Sequence, residues 1–111
     1  MSLAPDALHV SGVHRSDSFV DLTSTADLTD KVWHHLAVSW SSASLTLYVD
    51  GTSVGSKSSP GALPSDLGAT SKGWLGRALG DAVVGLYAEV DELRIYNRAL
   101  SASEITQLYA L

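Results

Sequence analysis

An all-β fold that ends in a short helix is the architecture predicted by this sequence. The chain is rich in Ser, Thr, Gly and Val and contains many short runs in which apolar and polar residues alternate, as is typical of β-strands and their turns. The dipeptide Asp50-Gly51 favours a tight hairpin, because both residue types tolerate positive φ. The spacing of the apolar residues changes near the C-terminus, where Ile105, Leu108 and Tyr109 lie on one face of a helix.

Length and composition predict a single domain over residues 1–111 and disfavour some classes of binding partner. Hydrophobic residues make up 45% of the chain, which is ordinary for a folded domain. The net charge is −5 with only seven Lys and Arg, which disfavours a nucleic-acid partner. No window reaches the roughly 18 apolar residues of a membrane-spanning helix, and the lack of Cys excludes disulfides. Residues 1–3 resemble a cloning remnant, so the lack of a signal peptide says little about localisation.

Turn residues separate a series of predicted strands. The stretch "DLTDK" at residues 27–31 indicates a turn, "SSAS" joins the third and fourth strands into a hairpin, and residues 57–72 form a long surface loop rich in Pro and Gly. Ser101 and Glu104 match a capping box, so the helix is predicted to begin at Ser101. The predicted strands cover residues 7–13, 18–24, 33–40, 44–51, 52–57, 73–79 and 83–97, the last of them one long strand or two broken ones.

The predicted core follows from the same alternation. Every second residue of a strand lies on one face, and the apolar face is expected to turn inward. The helix is expected to pack its own apolar face onto the sheets. The residues predicted to be buried are Leu36, Val38, Leu45, Leu47, Val49, Leu93, Ile95 and Leu108.

Two adjacent histidines interrupt the third predicted strand. Neighbouring side chains of a strand point to opposite faces, so His34 and His35 are not expected to bind one metal ion together. His34 is in phase with Leu36, Val38 and Trp40 and is predicted to be buried, whereas His35 is predicted to be more exposed. The favoured interpretation is a core histidine hydrogen-bonded to one buried acceptor. A catalytic or metal-binding role is the alternative, but no HExxH or GxSxG motif supports it.

Asp91 is a second polar residue at a position that the alternation predicts to be buried. In "VDELRIYN" it alternates with Leu93 and Ile95, so it is predicted to lie on a buried face. A buried carboxylate is costly unless it is paired. His34 is its leading predicted partner, and the alternatives are a Trp indole, backbone amides or coordination of Ca²⁺. Asp50, by contrast, is expected to bond its own backbone within a turn.

Several motifs, taken in order, carry a resemblance to a known family. The stretch "WHHLAVSW" is followed by "LTLYVDG", then by "GWLGRA" and finally by "EVDELRIYNRALSASEITQLYA". Each motif is loose, but their order and spacing together are specific. From about Leu8 to Leu111 the chain resembles the C-terminal part of the laminin-G-like, concanavalin A-like jelly-roll superfamily of lectins and glucanases.

The resemblance implies an antiparallel β-sandwich of two sheets, a jelly roll with a short C-terminal helix. Such domains are mostly extracellular or cell-surface modules that bind glycans or proteins, and many bind one Ca²⁺. Two segments typical of the family, similar to "FDGxDDYV" and "SAWVK", have no counterpart here. A truncated sandwich is therefore expected. The acidic pair that often contributes to the calcium site lies in the missing part, so Asp91 is the one expected metal ligand and Ca²⁺ is only a candidate cofactor.

The first functional hypothesis is a non-catalytic module that binds a glycan or protein ligand. Aromatic side chains at a rim or on a sheet would stack on sugar rings, although core packing is the competing explanation for each of them. The candidates are Trp33, Trp74, Tyr87 and Tyr96. The second hypothesis is an assembly unit without a small ligand. Strands left without cover would favour a homo-oligomer, with a two-fold dimer as the expected form.

An enzyme is the third hypothesis, and the sequence gives it little support. Glucanases with this fold need two carboxylates that face one cleft. The chain has three glutamates, of which Glu104 is assigned to the helix cap. Glu89 and Glu92 differ by an odd number, so a regular strand would place them on opposite faces. The chain is therefore predicted not to be an enzyme.

Overall fold

The computed structural model describes residues 2–4, 7–14, 18–23, 28, 30–58, 63, 65 and 89–111. Its first sheet is antiparallel and consists of β1 (Ser2–Ala4), β2 (Ala7–His14) and β3 (Ser18–Thr23), in that order. Two of these strands were predicted to within a residue. β1 was not, since three residues are too few to show an alternating pattern.

The second sheet is also antiparallel and has the order β4 (Leu36–Trp40), β5 (Ser44–Val49) and β6 (Thr52–Ser58). All three strands lie where alternation predicts them. The first of them is shorter than predicted, because residues 33–35 precede the strand instead of belonging to it. The described strands thus form two three-stranded antiparallel sheets, as expected for an all-β chain.

The turn between β5 and β6 confirms the prediction made from Asp50-Gly51. The φ angles are 50° at Asp50 and 77° at Gly51, and Val49 pairs directly with Thr52. Positive φ at both central residues matches the right-handed twist of the two strands. Within β6, just after this turn, a register shift leaves Val54 as an extra residue. Its neighbours Ser53 and Gly55 pair with Tyr48 and Leu47 of β5. Such a bulge bends the strand locally.

The core of the second sheet lies on β5. Leu45 and Leu47 are completely buried, and Val49 is nearly so, which confirms three of the predicted core positions. Leu36 and Leu108 are half-buried. The residues that pack around Leu47 and Val49 are Leu28, Leu36 and Val54.

Val38 is an exception on this face. It pairs with Leu47 in the sheet but is 42% exposed. The prediction that Val38 is buried is therefore wrong, since its strand lies at an edge of the described sheet.

The predicted strand at the end of residues 83–97 is a larger correction. Residues 89–97 form no strand, and residues 83–88 lie outside the described part. Leu93 is 63% exposed and Ile95 is 88% exposed, so neither belongs to the core as predicted. Glu92 has a φ of 53°, in the left-handed region, and this breaks the alternation on which the prediction depended.

Helix α1 (Ala102–Tyr109) begins where the sequence predicts. The Ser101 side chain accepts a hydrogen bond from the Glu104 backbone N–H, and the Glu104 carboxylate accepts one from the Ser101 N–H at 2.8 Å, which is a complete capping box. Arg98 donates two further bonds to that carboxylate, at 2.9 and 2.6 Å. These bonds, from Arg98 first and then from Ser101, lower the pKa of Glu104 to about 2. No helix in the described part of the chain is long and apolar enough to cross a membrane.

The helix is joined to the second sheet by polar and apolar contacts. The Ser39 hydroxyl donates to the Leu100 carbonyl at 2.7 Å. The single proton of the Thr106 hydroxyl is shared between the Ala102 carbonyl of the helix, at 3.0 Å, and the Gly51 carbonyl of the turn, at 3.3 Å. A Cβ atom added at Gly51 would lie 3.1 Å from the Tyr109 ring. The turn therefore needs glycine both for its φ and for the close approach of the helix. Ile105 is the helical residue that is fully buried.

Candidate functional site

A short segment before β4, residues 30–35, carries the candidate site and is called the Trp33 segment here. It begins in the turn predicted at residues 27–31: the chain bends at residues 30–32, and Lys31 has a φ of 64°. The Asp30 carboxylate accepts a hydrogen bond from the Val32 N–H at 3.0 Å, which closes the bend. The sequence therefore turns sharply just before Trp33 and His34.

His34 lies between two carboxylates, and these three side chains are called the ion clamp. Its Nδ1 is 2.8 Å from Oδ2 of Asp50, and its Nε2 is 2.8 Å from Oδ1 of Asp30. Only 16% of the His34 side chain is exposed. The prediction that His34 is hydrogen-bonded is confirmed, but the predicted partner Asp91 is wrong.

The two contacts define the charge of the ring. An ionised carboxylate can only accept a hydrogen bond, so both ring nitrogens of His34 must donate, and a ring that donates twice is an imidazolium. The bonds to Asp50 and then to Asp30 raise the pKa of His34 above its ordinary 6.5. The bond from His34 is the main cause that lowers the pKa of both Asp30 and Asp50 below 3.8.

The signs of these shifts give the pH range in which the clamp stabilises the fold. Because the pKa of His34 is raised in the folded chain, its contribution is complete below pH 6.5 and is lost as the pH rises through the folded pKa. The pKa values of Asp30 and Asp50 are lowered, so their contribution is complete above pH 3.8 and is lost as the pH falls through the folded values. The clamp therefore stabilises most between pH 3.8 and 6.5.

Asp50 also joins the Trp33 segment to the hairpin turn through the backbone. Its Oδ1 accepts from the His35 N–H at 2.9 Å, and its own N–H donates to the His35 carbonyl at 2.8 Å. The expectation was that the Asp50 side chain bonds its own backbone within the turn. Instead it bonds His34 and the His35 N–H, and the Asp50 N–H extends the β4–β5 pairing by one residue. Asp50 thus makes three hydrogen bonds to His34 and His35, and these fix the C-terminal end of the Trp33 segment.

His35 has a different environment from His34. Its ring centroid lies 6.1 Å from that of Tyr109, with the planes at 45°. Its Nδ1 is buried and has no hydrogen-bond partner among the described residues. His35 is half-buried, like His34, so the predicted contrast in exposure between the two histidines is not observed. The two rings therefore make different contacts: His34 binds Asp50 of the turn, and His35 packs beside Tyr109 of the helix.

Trp33 stands out on this rigid segment because it is 65% exposed, as is Val32 beside it. The neighbouring residues are fixed by the ion clamp and by the bend at Asp30. A large aromatic surface on an ordered backbone can contact a ligand with little loss of conformational freedom. Of the two predicted aromatic residues that the structure describes, Trp33 is the more exposed.

Tyr96, the other predicted aromatic site residue that the structure describes, is not brought together with Trp33. Tyr96 is 45% exposed and lines a shallow depression beside α1 whose lining does not include Trp33. Trp74 and Tyr87 lie outside the described residues. The described depression is lined by Tyr96, Arg98, Leu100, Glu104, Gln107, Leu108 and Leu111.

Asp91 occupies a position that the sequence did not predict. It is exposed, and its Oδ1 accepts a hydrogen bond from the Glu92 N–H at 2.8 Å. Within the described ranges, no three His, Cys, Asp or Glu side chains are arranged to hold a metal ion. In the ion clamp the imidazole lies between the two carboxylates, so Asp30 and Asp50 approach opposite edges of the ring.

The ion clamp stabilises the position of the Trp33 segment against the hairpin turn, but it has little capacity for acid–base chemistry. Both nitrogens of His34 are engaged, and Asp50 uses both of its oxygens. No lone pair of the ring is free to accept a proton from a substrate. The arrangement defines a fixed, solvent-exposed aromatic contact on an all-β domain, which is the architecture of a binding or structural module.

Comparison with known proteins identifies the family. The chain belongs to the laminin-G-type group of the concanavalin A-like lectin/glucanases superfamily, whose family profile matches residues 5–106. The chain is also similar to an S-layer domain-containing protein from Clostridium thermocellum ATCC 27405, of which residues 221–444 have been solved by crystallography. The TM-score is 0.65 at 28% identity, over 98% of this chain and 66% of that one. This chain thus spans just under two thirds of that relative. A comparison with curated proteins gave no match.

Proposed function

We propose that this chain is a non-catalytic module that binds a glycan or a protein ligand in an extracellular or cell-surface setting, with Trp33 as its main contact. The observation that carries the proposal is the 65% exposure of Trp33 on a segment fixed by the ion clamp. Aromatic rings of this kind stack on the apolar faces of sugars or fill pockets on a protein partner. A fixed segment lowers the entropy lost on binding.

The non-catalytic part of the proposal is supported by the state of the carboxylates. Retaining and inverting glycosidases need a pair of carboxyl groups that face the scissile bond. Among the side chains that the structure describes, Asp30 and Asp50 bind His34 instead, while Glu92 and Glu104 bind arginines. The family name includes both lectins and glucanases, and the engaged carboxylates favour the lectin-like role.

The proposed setting draws on the family and on the solved relative. That relative is described as an S-layer domain-containing protein, which supports an extracellular or cell-surface location for this chain. Ca²⁺ is proposed as an auxiliary ligand at Asp91 only. Binding assays in Ca²⁺ and in a chelator would show whether the ion contributes.

The test is a glycan array probed with the wild-type chain and with Trp33→Ala. We expect a saturable signal for the wild type and a loss of affinity of about tenfold or more for Trp33→Ala, because the variant removes the aromatic ring that the ligand would cover. Trp33→Tyr should retain much of the affinity, since it keeps a flat ring. Tyr96→Ala is the matched control, because it removes a comparably exposed aromatic residue from a different surface. Equal binding by the wild type and Trp33→Ala would place the site elsewhere.

A second candidate function, an assembly unit made of several copies of this chain, is favoured by a separate observation. Leu93 and Ile95 expose large aliphatic surfaces on a segment that is in no described sheet. Exposed apolar surface of this kind marks protein interfaces. No binding to any glycan together with a stable oligomer would favour assembly over ligand binding.

A further inference from the structure

The two carboxylates of the ion clamp hold the Trp33 segment with different strength. Asp50 makes three hydrogen bonds to His34 and His35, through both carboxylate oxygens and its own N–H, and its side chain is 34% exposed. The Asp30 side chain is 48% exposed. Its Oδ1 accepts both from His34 Nε2, at 2.8 Å, and from the Val32 N–H, at 3.0 Å. The bend at this end therefore depends on the same oxygen atom that binds the ring.

The bend that Asp30 closes contains a strained residue. Lys31 is exposed and has a φ of 64°, in the left-handed region, which a residue with a Cβ adopts only at some cost. The hydrogen bond from the Val32 N–H to Asp30 spans Lys31 and helps to keep it in this conformation. Loss of that bond would let Lys31 return to an ordinary φ. The Trp33 segment is therefore expected to open at this bend.

A neutral His34 ring cannot keep both of its contacts. A neutral imidazole carries one N–H, so its other nitrogen presents a lone pair. A lone pair at 2.8 Å from a carboxylate oxygen is repelled, because that oxygen also only accepts. The contact with Asp50 is the one that is kept, since Asp50 is less exposed and is also bonded to His35. The proton therefore leaves Nε2, and Asp30 is released.

We propose that binding at Trp33 is controlled by the protonation of His34: when Nε2 gives its proton to water, Asp30 moves away, the bend at Lys31 opens and the site loses affinity, while the Asp50 end stays in place. This inference rests on the proposed function, because it names the regulation of the same site. The opening of the bend is a property of the chain alone and is measured without a ligand.

The direction of the pH dependence follows from the groups around the ring. Of the described titratable residues, Asp50 of the turn and Asp30 of the bend contact the ring, and their bonds raise the pKa of His34 above 6.5. The neighbouring titratable residue, His35, contacts Tyr109 of α1. The closed bend is therefore complete below pH 6.5 and is lost as the pH rises through the folded pKa of His34.

Carbon-13 relaxation of the Cα–H groups measures the opening, because these protons do not exchange with water. The spectra are compared at about pH 5.5 and at about one pH unit above the folded pKa of His34. The order parameters of Val32 and Trp33 should fall from about 0.85 to below about 0.6, while that of His35 stays at about 0.85. A glycan array read at the same two pH values should show an affinity about fivefold or more weaker at the higher pH, the effect of losing one hydrogen bond.

Two variants assign the response to one histidine. His34→Gln has no ring to titrate, so its order parameters should be the same at both pH values. His35→Gln is the matched control, because it replaces the adjacent histidine, whose ring is not in the ion clamp. It should keep the response of the wild type. Circular dichroism of each variant shows that it has folded.

The outcomes separate the regulation from the proposed function. Order parameters of Val32 and Trp33 that stay constant in the wild type would overturn the opening of the bend, whatever the array shows. A response that persists in His34→Gln would overturn the assignment to His34. Loss of order with unchanged affinity would overturn the control of binding. An array without signal at either pH would overturn glycan binding as the function, and the order parameters would still decide whether the bend opens.

Discussion

Replacing Leu47 by alanine lowers the free energy of unfolding by about 2–5 kcal/mol, the range for a fully buried leucine in a packed core. Leu47 is completely buried on the central strand of the second sheet, and Val49, Leu28, Leu36 and Val54 belong to the same cluster. Removing its branched side chain leaves a cavity between these residues, which the backbone ladders on both sides keep from closing. Urea unfolding followed by circular dichroism measures the change.

Val38→Ala is the matched control for this prediction. Val38 pairs with Leu47 on the same face of the sheet but is 42% exposed, so its truncation should cost about 1 kcal/mol or less. Equal destabilisation by the two substitutions would show that the core does not lie on this face of β5. A Leu47→Ala variant that melts like the parent would show the same.

Replacing Asp50 by alanine is the second large effect, with an expected loss on the order of 2–4 kcal/mol of unfolding free energy. The substitution removes the acceptors of His34 Nδ1 and of the His35 N–H. It also places alanine at a φ of 50°, where aspartate is tolerated better. Asp50→Asn should cost less, because asparagine accepts this φ and keeps one oxygen for the His35 N–H.

The difference between the wild type and Asp50→Asn measures the loss of the charged bond to His34. In a double-mutant cycle, His34→Gln and Asp50→Asn should be non-additive, since the two residues are in contact. His34→Gln and Asp91→Asn should be additive, because Asp91 bonds the Glu92 N–H instead. The reverse pattern would restore Asp91 as the partner of His34 and remove Asp50 from the clamp.

The parts of the fold that sequence predicts well are those determined by neighbouring residues. The Asp50-Gly51 turn, the alternation of Leu45, Leu47 and Val49, and the Ser101–Glu104 capping box each depend on a few adjacent positions. The prediction for residues 89–97 failed because alternation shows that a segment can be a strand, not that another strand lies beside it. Leu93 and Ile95 were predicted to be core residues on the basis of this alternation, but nothing in the described structure covers them.

The partners of His34 were also harder to predict than the local elements, because Asp50 is distant from His34 in the sequence. The sequence singles out Trp33 as a candidate contact and His34 as a hydrogen-bonded residue, but the predicted partner of His34 depended on the assumption that Asp91 is buried. Two signals pointed to the observed partners. Asp30 lies four residues before His34, across a predicted turn, and the short connection between β4 and β5 places Asp50 beside His35, because Leu36 pairs with Val49. Counting the register outward from the hairpin would have identified Asp50.

The proposed role of Trp33 depends most directly on His34 being a cation held between Asp30 and Asp50, because that clamp fixes the segment that displays Trp33. A titration of the His34 imidazole by long-range ¹H–¹⁵N NMR measures its charge. We predict that both ring nitrogens carry protons at pH 6.5, that the ring titrates above its ordinary pKa of 6.5, and that Asp50→Asn lowers this pKa. A His34 that titrates at or below 6.5 in the wild type, with one ring nitrogen free of a proton near neutral pH, would contradict the clamp.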